Sequence, residues 1–367
     1  MGNDDLYYMQ RALELAELGL GRTSPNPAVG AVIVKDGVIV GEGYHQKAGT
    51  PHAEIHALRQ AGELARGADI YVTLEPCSHY GKTPPCANAL IEAGIKRVVA
   101  AVLDPNPLVA GQGMEILKRA GIETQVGVLE EPARKLNEAF FKFITTQRPF
   151  VAIKTAMTLD GKIATRQGNS RWITSAEARK YVHQLRNRYD AIMVGIGTVL
   201  ADDPMLNTRL DDPAARDPVR VIIDGQLYLP LNSQIAKTSY KQPTLVYTSR
   251  NADRQRENAL KEQGLEIIRV GGTENNLDLG QVMDDLGKRG LISILVEGGA
   301  GLNASLLEQK LVDKLYWFIA PKIIGSHQAP GPVAGTGAAA MDEAILLYDI
   351  EQQQIGNDLL IKAYTRW

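Results

Sequence analysis

Four residues in the first quarter of the chain have the types and spacing of a metal-dependent hydrolytic site. His52 and Glu54 stand two residues apart in the segment PHAEIHAL, and the two cysteines of the chain, Cys77 and Cys86, follow with eight residues between them. A disulfide here would close only one short loop, which favours a metal or a reactive thiol. We expect each cysteine to begin a helix, where free backbone amides favour the thiolate that a metal requires.

The donor types favour a catalytic zinc ion, which takes three protein ligands and leaves one position for water. We predict His52, Cys77 and Cys86 as ligands, and Glu54 as the catalytic carboxylate that carries a proton to a leaving amine. Residues two apart in a regular helix point about 200° away from each other, so His52 must lie in the turn before the helix. This is the pattern of zinc deaminases, except that their cysteines are separated by two residues.

Other interpretations of these residues stay open. A fourth protein ligand, His56 or His79, would make the zinc site structural instead of catalytic. His56 lies one turn deeper in the predicted helix, where packing is the expected role. We expect the loop between the cysteines to bring His79 and Lys82 toward a substrate. Asn26 lies between two prolines and is a further candidate substrate contact, although its segment could be only a turn.

The chain lacks the G-x-G-x-x-G fingerprint of dinucleotide-binding folds, because Leu200 and Ile116 occupy the third glycine position in GIGTVL and GQGMEI. The segment VEGGAGLNASLL follows an apolar strand and opens a helix, so its amides could hold a phosphate or form only a tight turn. Arg186 and Arg209 could bind a phosphate or remain solvated. Other polar and aromatic residues follow predicted strands, where α/β sheets bind ligands: Lys154, Asp160, Ser170, Trp172, Thr198 and Asp202.

Strands alternate with helices along the chain, which predicts two α/β domains, residues 1–146 and 147–367. An amphipathic helix opens the first domain, and Asp36-Gly37 joins two strands in a hairpin. The formal net charge of −2 disfavours a nucleic-acid partner. We find neither a secretory signal nor an apolar stretch of membrane-spanning length, so we expect a cytoplasmic protein with small-molecule substrates and no membrane partner.

With these motifs in hand, the sequence resembles, over essentially its full length, the bacterial bifunctional riboflavin-biosynthesis proteins, which fuse a pyrimidine deaminase to a pyrimidine reductase. The motifs in the first half are SPNPAVGAVIV, GEGYHQKAGTPHAEIHAL, YVTLEPCSHYGKTPPC and DPNPLVAGQG. Those in the second half are LDGKIA, SRWIT, GIGTVLADDPMLNTR and VEGGAGLNASLL. The resemblance implies a cytidine-deaminase-like α/β/α sandwich followed by a dihydrofolate-reductase-like α/β domain, with Zn²⁺ and NADPH as cofactors and self-association into a homo-oligomer.

The resemblance also implies the substrates and further site residues. The first domain would deaminate 2,5-diamino-6-(5-phosphoribosylamino)pyrimidin-4-one, and the second would reduce the product with NADPH to its ribitylamino form. His45 joins Asn26, His79 and Lys82 as a deaminase substrate contact. The contacts implied for the reductase substrate are Lys154, Ser170, Arg186, Leu206, Arg209 and Glu297. Those implied for NADPH are Ala156, Trp172, Thr198, Asp202, Gly299, Ala300, Gly301, Leu302, Asn303, Ala304 and Ser305.

Two alternatives to this function remain. The first is a zinc deaminase of another base or nucleoside with a nucleotide-binding second domain. The second is a non-enzymatic module that zinc merely holds together, which would require a closed site with four protein ligands.

Overall fold

A computed structural model describes residues 3–78, 84–106 and 109–367. The chain divides into two compact units, Met1–Gln147 and Arg148–Trp367. A five-stranded sheet forms the centre of the first unit and a nine-stranded sheet that of the second. In the described part of the chain, every helix is too short or too polar to cross a membrane.

The first sheet is mixed, with the strand order β2-β1-β3-β4-β5. Its strands are β1 (Gly30–Lys35), β2 (Val38–Tyr44), β3 (Asp69–Val72), β4 (Arg97–Ala100) and β5 (Glu123–Val126). β1 is antiparallel to both neighbours, whereas β3, β4 and β5 are parallel. Asp36 and Gly37 have positive φ angles of 50° and 78°, as the predicted two-residue hairpin turn requires.

Helices cover both faces of this sheet. They are α1 (Asn3–Glu17), α2 (Ala53–Ala61), α3 (Cys86–Glu92), α4 (Gln112–Arg119), α5 (Glu130–Leu136) and α6 (Glu138–Thr146). Successive strand residues point to opposite faces. Ile33 and Ile70 therefore pack with α2, α3 and α4, while Val32 and Tyr71 pack with α1, α5 and α6. The result is a three-layer α/β/α sandwich.

Two glycines of β2 allow α2 to lie directly on the strand. A Cβ atom at Gly41 would come within 2.3 Å of the Ala57 carbonyl oxygen, and one at Gly43 within 2.4 Å of the Ala53 carbonyl oxygen. Side chains at these positions would push the helix away from the sheet. The two glycines therefore set the position of the helix whose first turn holds the predicted site.

We expect Gly43→Val to disrupt the metal site from outside it. The added side chain overlaps the backbone of α2, and overpacking of this kind costs about 1–3 kcal/mol or more. The variant should lose stability in urea and bind less zinc per chain, as measured by denaturation and metal analysis. Val38→Ala, at the exposed start of the same strand, should change neither quantity. Full zinc content in Gly43→Val would show that this contact does not set the position of α2.

The second sheet has the strand order β10-β9-β8-β7-β13-β6-β14-β16-β15. It is parallel from β10 to β14, while β16 and β15 add an antiparallel edge. A separate hairpin pairs β11 with β12. The strands are β6 (Phe150–Thr158), β7 (Ala191–Gly195), β8 (Val219–Ile223), β9 (Thr244–Ser249), β10 (Glu266–Val270), β11 (Gly272–Thr273), β12 (Asn276–Leu277), β13 (Ser293–Val296), β14 (Lys314–Ala320), β15 (Leu347–Ile355) and β16 (Asp358–Thr365).

Helices again lie on both faces of this sheet. They are α7 (Ala176–Arg188), α8 (Ile196–Asp202), α9 (Gln234–Lys237), α10 (Arg254–Glu262), α11 (Leu279–Lys288) and α12 (Ala300–Glu308). Met193 and Val221 pack with α11 and α12, whereas Ile192 and Ile222 pack with α8, α9 and α10. The sequence pattern predicts α7, α10, α11 and α12. It does not predict α8, whose seven residues appear in the sequence only as a polar segment after a strand.

Candidate active sites

The three predicted zinc ligands meet beside the first sheet. His52 is the N-cap of α2, with φ −73° and ψ 167°, so it lies in the turn before the helix as its spacing from Glu54 requires. Its Nδ1 lies 3.5 Å from the Sγ of Cys77 and 3.3 Å from the Sγ of Cys86. The three ligand atoms lie within 4.8 Å of one another. Within the described ranges this is the one group of three or more such residues, and it does not include His56.

Cys77 is held differently from the sequence expectation. It lies in an irregular segment instead of at a helix start, whereas Cys86 is the first residue of α3. The backbone N–H of Cys86 donates to the Sγ of Cys77 at 3.2 Å, so the first amide of α3 bonds the sulfur of Cys77. A hydrogen bond with the Cys86 thiol, more than the one with His52, lowers the pKa of Cys77 to about 4. The same bond, together with burial, raises the pKa of the Cys86 thiol.

This donor set fits a catalytic zinc ion. Two sulfur atoms and one imidazole nitrogen converge from three segments of the chain, which is a ligand set known for catalytic zinc. Glu54 lies beside them and is 3% exposed. Burial, and secondarily the charge of Cys77, raises the pKa of Glu54 to about 6. A carboxyl group with a pKa near neutrality can both accept and donate a proton, as general acid–base catalysis requires.

His52, Cys77 and Glu54 border a cavity of about 290 Å³. Asn26 and His45 line it, as predicted for deaminase substrate contacts. His45 lies 3.1 Å from the Pro51 carbonyl oxygen through Nδ1, which must therefore carry the proton. Its Nε2 then accepts from the Nδ2 of Asn26 at 3.3 Å. The other two predicted contacts, His79 and Lys82, lie outside the described residues.

Three residues that line this cavity were not predicted from the sequence as site residues. Glu75 follows β3, while Asp104 and Asn106 follow β4, and all three line the cavity together with His52 and Cys77. The two strands are parallel, so their carboxyl ends meet at the same edge of the sheet. The motif DPNP contains Asp104 and Asn106, but sequence alone gave them no role. Their position after a parallel strand was the signal that could have identified them.

A buried ion cluster forms the centre of the second candidate site. Glu297 directly follows β13 and its side chain is 8% exposed. It accepts from the Nζ of Lys154 at 3.2 Å and from the Nε and second terminal nitrogen of Arg186 at 2.6 and 3.0 Å. Burial alone would raise the pKa of Glu297, but the charges of Arg186 and Lys154 lower it to about 2. One edge of the Arg186 guanidinium is therefore already paired with a carboxylate.

Arg209 is better placed than Arg186 to receive a phosphate. Its backbone N–H donates to the Nδ1 of His183 at 3.2 Å, and its Nε lies 3.3 Å from the Nε2 of the same ring. Burial, followed by the charges of Arg186 and Arg209, lowers the pKa of His183 to about 4. Because the Nδ1 of His183 accepts a hydrogen bond, the neutral ring carries its proton on Nε2. This N–H then faces the Nε of Arg209, which is also a donor. An anion that contacts both groups would accept a hydrogen bond from each.

The sequence missed His183, although it lies one turn before Arg186 on the same face of α7. It lines a cavity of about 300 Å³. Five of the predicted substrate contacts also line that cavity: Lys154, Ser170, Arg186, Arg209 and Glu297. Leu206, the sixth, does not, because its side chain is buried in the core next to α8.

The predicted NADPH contacts fall into two groups. One group borders the same cavity: Ala156, Trp172, Thr198, Asp202 and Gly299. The other forms the start of α12 and does not line the cavity: Ala300, Gly301, Leu302, Asn303, Ala304 and Ser305. No side chain caps α12, so its first-turn amides suit the phosphates of a dinucleotide. The buried Oδ1 of Asn303 lacks a hydrogen-bond partner among the described residues.

Comparisons with known proteins match each half of the chain to a domain family. Residues 2–102 match the cytidine and deoxycytidylate deaminase zinc-binding region, and residues 149–361 match the RibD C-terminal domain. The riboflavin biosynthesis protein RibD of Aquifex aeolicus is 46% identical over 97% of both chains. This chain belongs to the RibD family.

Two solved RibD-family structures have the same fold along the whole chain. RibD of Acinetobacter baumannii is 40% identical, covers 99% of both chains and has a TM-score of 0.88. A Thermotoga maritima protein is 38% identical, with the same coverage and a TM-score of 0.85. It is described as a diaminohydroxyphosphoribosylaminopyrimidine deaminase and 5-amino-6-(5-phosphoribosylamino)uracil reductase.

Membership of the RibD family confirms several of the sequence predictions. The fold class is a cytidine-deaminase-like domain followed by a dihydrofolate-reductase-like domain. The chain is a bifunctional enzyme of riboflavin biosynthesis, with a zinc-dependent deaminase domain and an NADPH-dependent reductase domain. Its substrates are therefore small molecules.

Proposed function

We propose that residues 1–146 deaminate 2,5-diamino-6-(5-phosphoribosylamino)pyrimidin-4-one and that residues 147–367 reduce the resulting 5-amino-6-(5-phosphoribosylamino)uracil with NADPH. The observation that carries the proposal is the three-ligand group His52, Cys77 and Cys86 beside the buried Glu54. A site with three ligands and an adjacent proton carrier is built for hydrolysis, whereas a structural zinc site has four protein ligands. The second cavity, which Arg209, Gly298 and Gly299 line, supports the reductase assignment.

In the deaminase, His52, Cys77 and Cys86 would hold zinc, which would supply an activated water for attack on the ring carbon that carries the 2-amino group. Glu54 takes a proton from the attacking side and delivers it to the departing amine, which leaves as ammonia. Asn26 and His45 hold the pyrimidine, since both line the cavity and hydrogen-bond each other. Asp104 and Asn106 contact the substrate from the opposite loop.

In the reductase, NADPH would supply a hydride for C1 of the opened ribosyl group, and a proton taken up from solvent would complete the two-hydrogen gain that gives the ribityl group. Lys154 projects from β6 into the cavity, held by Glu297, and Ser170 lines the same wall. Arg209 and His183 bind the 5-phosphate of the substrate. Trp172, Thr198, Asp202 and Gly299 face the cofactor, and Ala300 to Leu302 supply amides for its phosphates.

The test is mass spectrometry of the products formed by the purified chain from the diaminopyrimidine ribotide, with and without NADPH. Without NADPH, we expect one amino group to be exchanged for oxygen. With NADPH, we expect a further gain of two hydrogens. Deamination alone would mean that the second domain needs another substrate. An unchanged ribotide together with deamination of a free base or nucleoside would favour the alternative zinc deaminase.

Replacing Arg209 with alanine is expected to weaken binding of the reductase substrate. A hydrogen bond from a charged donor to phosphate accounts for about a 10- to 100-fold change in affinity, so KM should rise by that factor. Arg250→Ala, at an exposed turn after β9, is the control, and deaminase kinetics should not change in either variant. An equal KM effect on a substrate analogue without the phosphate would show that Arg209 does not bind that group.

We propose that the chain self-associates through the edge strand β15. All residues of this nine-residue strand except the last are exposed, including Leu347, Tyr348 and Ile350. An exposed edge strand of this length that carries apolar side chains favours pairing with another strand, and a second copy would cover it. Ile350→Lys should shift the sedimentation coefficient toward a smaller species, whereas the exposed Gln263→Lys should not. An unchanged coefficient for Ile350→Lys would place the contact elsewhere.

A further inference from the structure

Glu75 connects the metal-binding segment with the opposite wall of the deaminase cavity. It lies two residues before Cys77, is 6% exposed, and has no part in the chemistry described above. Its carboxylate accepts four backbone N–H groups. Oε2 accepts from Asp104 at 3.0 Å and from Gly111 at 2.9 Å. Oε1 accepts from Gly113 at 2.8 Å and from Met114 at 3.3 Å.

These bonds explain why an acidic residue is required here. Helix α4 begins at Gln112, and its N-cap is Gly111, which has no side chain to bond the free amides of the first turn. Glu75 performs this capping from the end of another strand, and its negative charge suits a helix N-terminus. An uncharged residue of the same size could not accept all four hydrogen bonds, because its amide nitrogen is a donor.

The start of α4 also lies directly against the segment that holds Cys77. A Cβ atom at Gly113 would come within 2.0 Å of the Pro76 carbonyl oxygen and 3.1 Å of the Oε1 of Glu75. A side chain at this position would force the two segments apart. The metal-binding segment and the first turn of α4 are therefore fixed to each other by backbone contact and by the Glu75 carboxylate.

The loop before α4 carries two of the cavity-lining residues. Asp104 is bonded to Glu75 through its backbone N–H, and the Oδ1 of Asp104 accepts the N–H of Asn106 at 2.8 Å. Both residues line the cavity together with His52 and Glu54. A shift at Glu75 would thus move both side chains relative to the metal ligands. Displacing groups that position the substrate weakens its productive binding strongly.

We propose that Glu75 is a positioning residue of the deaminase. It sets the distance between the metal site and the wall formed by Asp104 and Asn106, and thereby the affinity for the pyrimidine substrate. The inference rests on the proposed deaminase function.

The test compares Glu75→Gln with Glu115→Gln in the full-length enzyme loaded with zinc. Glu115 lies on the same helix but is exposed, so its substitution is the matched control. In Glu75→Gln we expect unchanged zinc content, a KM for the diaminopyrimidine ribotide raised about 10-fold or more, and a kcat within a few-fold of wild type. Reductase kinetics should be unaffected. Unchanged KM, or loss of zinc or of the folded first unit, would overturn the proposal.

Two further measurements separate positioning from general stability. Amide hydrogen exchange at Asp104, Gly111 and Gly113 should be faster in Glu75→Gln without substrate, while exchange in β4 should not change. Combining Glu75→Gln with Asn106→Ala should raise KM by less than the product of the two single effects, because both act on the same wall. A KM in the double variant equal to the product of the two single effects would contradict the inference. Unchanged amide hydrogen exchange in Glu75→Gln would also contradict it. If wild type fails to deaminate the ribotide, the proposed function fails, and the exchange rates still decide whether Glu75 holds the wall.

Discussion

Glu54→Gln is expected to abolish deamination while leaving zinc content, folding and reductase activity unchanged. The amide has nearly the same size as the carboxyl group but cannot carry a proton between the attacking water and the departing amine. General acid–base catalysis contributes about 10²- to 10⁴-fold, so the deaminase kcat should fall by about 10³-fold or more. The measurement is ammonia release from the diaminopyrimidine ribotide at saturating substrate.

Glu63→Gln is the control for this substitution, because Glu63 is exposed in the turn after α2. The Glu54→Gln chain should still reduce 5-amino-6-(5-phosphoribosylamino)uracil at the wild-type rate. Deamination within a few-fold of wild type would remove Glu54 from the mechanism. Loss of zinc would instead mean that Glu54 holds the metal site together.

Glu297→Gln is expected to have the largest effect in the second unit, on both stability and reductase activity. It leaves the buried cations of Lys154 and Arg186 without their carboxylate. Removing one partner of a buried ion pair costs about 3–5 kcal/mol. Reductase activity should be lost, because Lys154 and Arg186 would no longer be held in the cavity, whereas deaminase activity should remain. Urea denaturation, followed by the fluorescence of Trp172, Trp317 and Trp367 in the second unit, measures the effect on stability.

The same ion cluster should make stability depend on acid. The pKa of Glu297 is lowered in the folded chain from 4.5 to about 2. Its contribution is therefore present above the unfolded pKa and is lost as the pH falls from about 4.5 toward 2. Glu297→Gln should show a smaller loss of stability than wild type over this range.

Glu266→Gln, which breaks the more exposed pair with Arg289, should cost less than about 1 kcal/mol. Equal costs for the two variants would contradict the cluster's role.

Local features of the fold could be predicted from the sequence because neighbouring residues determine them. The Asp36-Gly37 turn needs only two residues that adopt positive φ. The position of His52 before α2 follows from its spacing to Glu54 and from helix geometry. Cys77 could not be placed this way, because the amide that bonds its sulfur belongs to Cys86, across an eight-residue loop.

Long-range pairing explains most of what the sequence did not predict. Arg186 and Glu297 lie 111 residues apart, and the parallel sheet brings them together. Their ion pair occupies an edge of Arg186 that the sequence suggested for phosphate. Glu75 likewise reaches amides about 30 to 40 residues away. No local pattern records these contacts, because backbone amides carry no side-chain signature.

The close contact of α2 with Gly41 and Gly43 makes the catalytic rate of the deaminase largely independent of the packing free energy of its core. The helix lies against bare backbone of β2, so main-chain geometry fixes the place of its first turn. Packing of large side chains elsewhere in the same unit contributes free energy but does not define that place. Core changes on the opposite face of the sheet, such as Val32→Ala, should therefore lower the melting temperature while kcat stays near wild type. Core residues of the first unit can thus vary, or be redesigned for stability, without moving the carboxylate of Glu54.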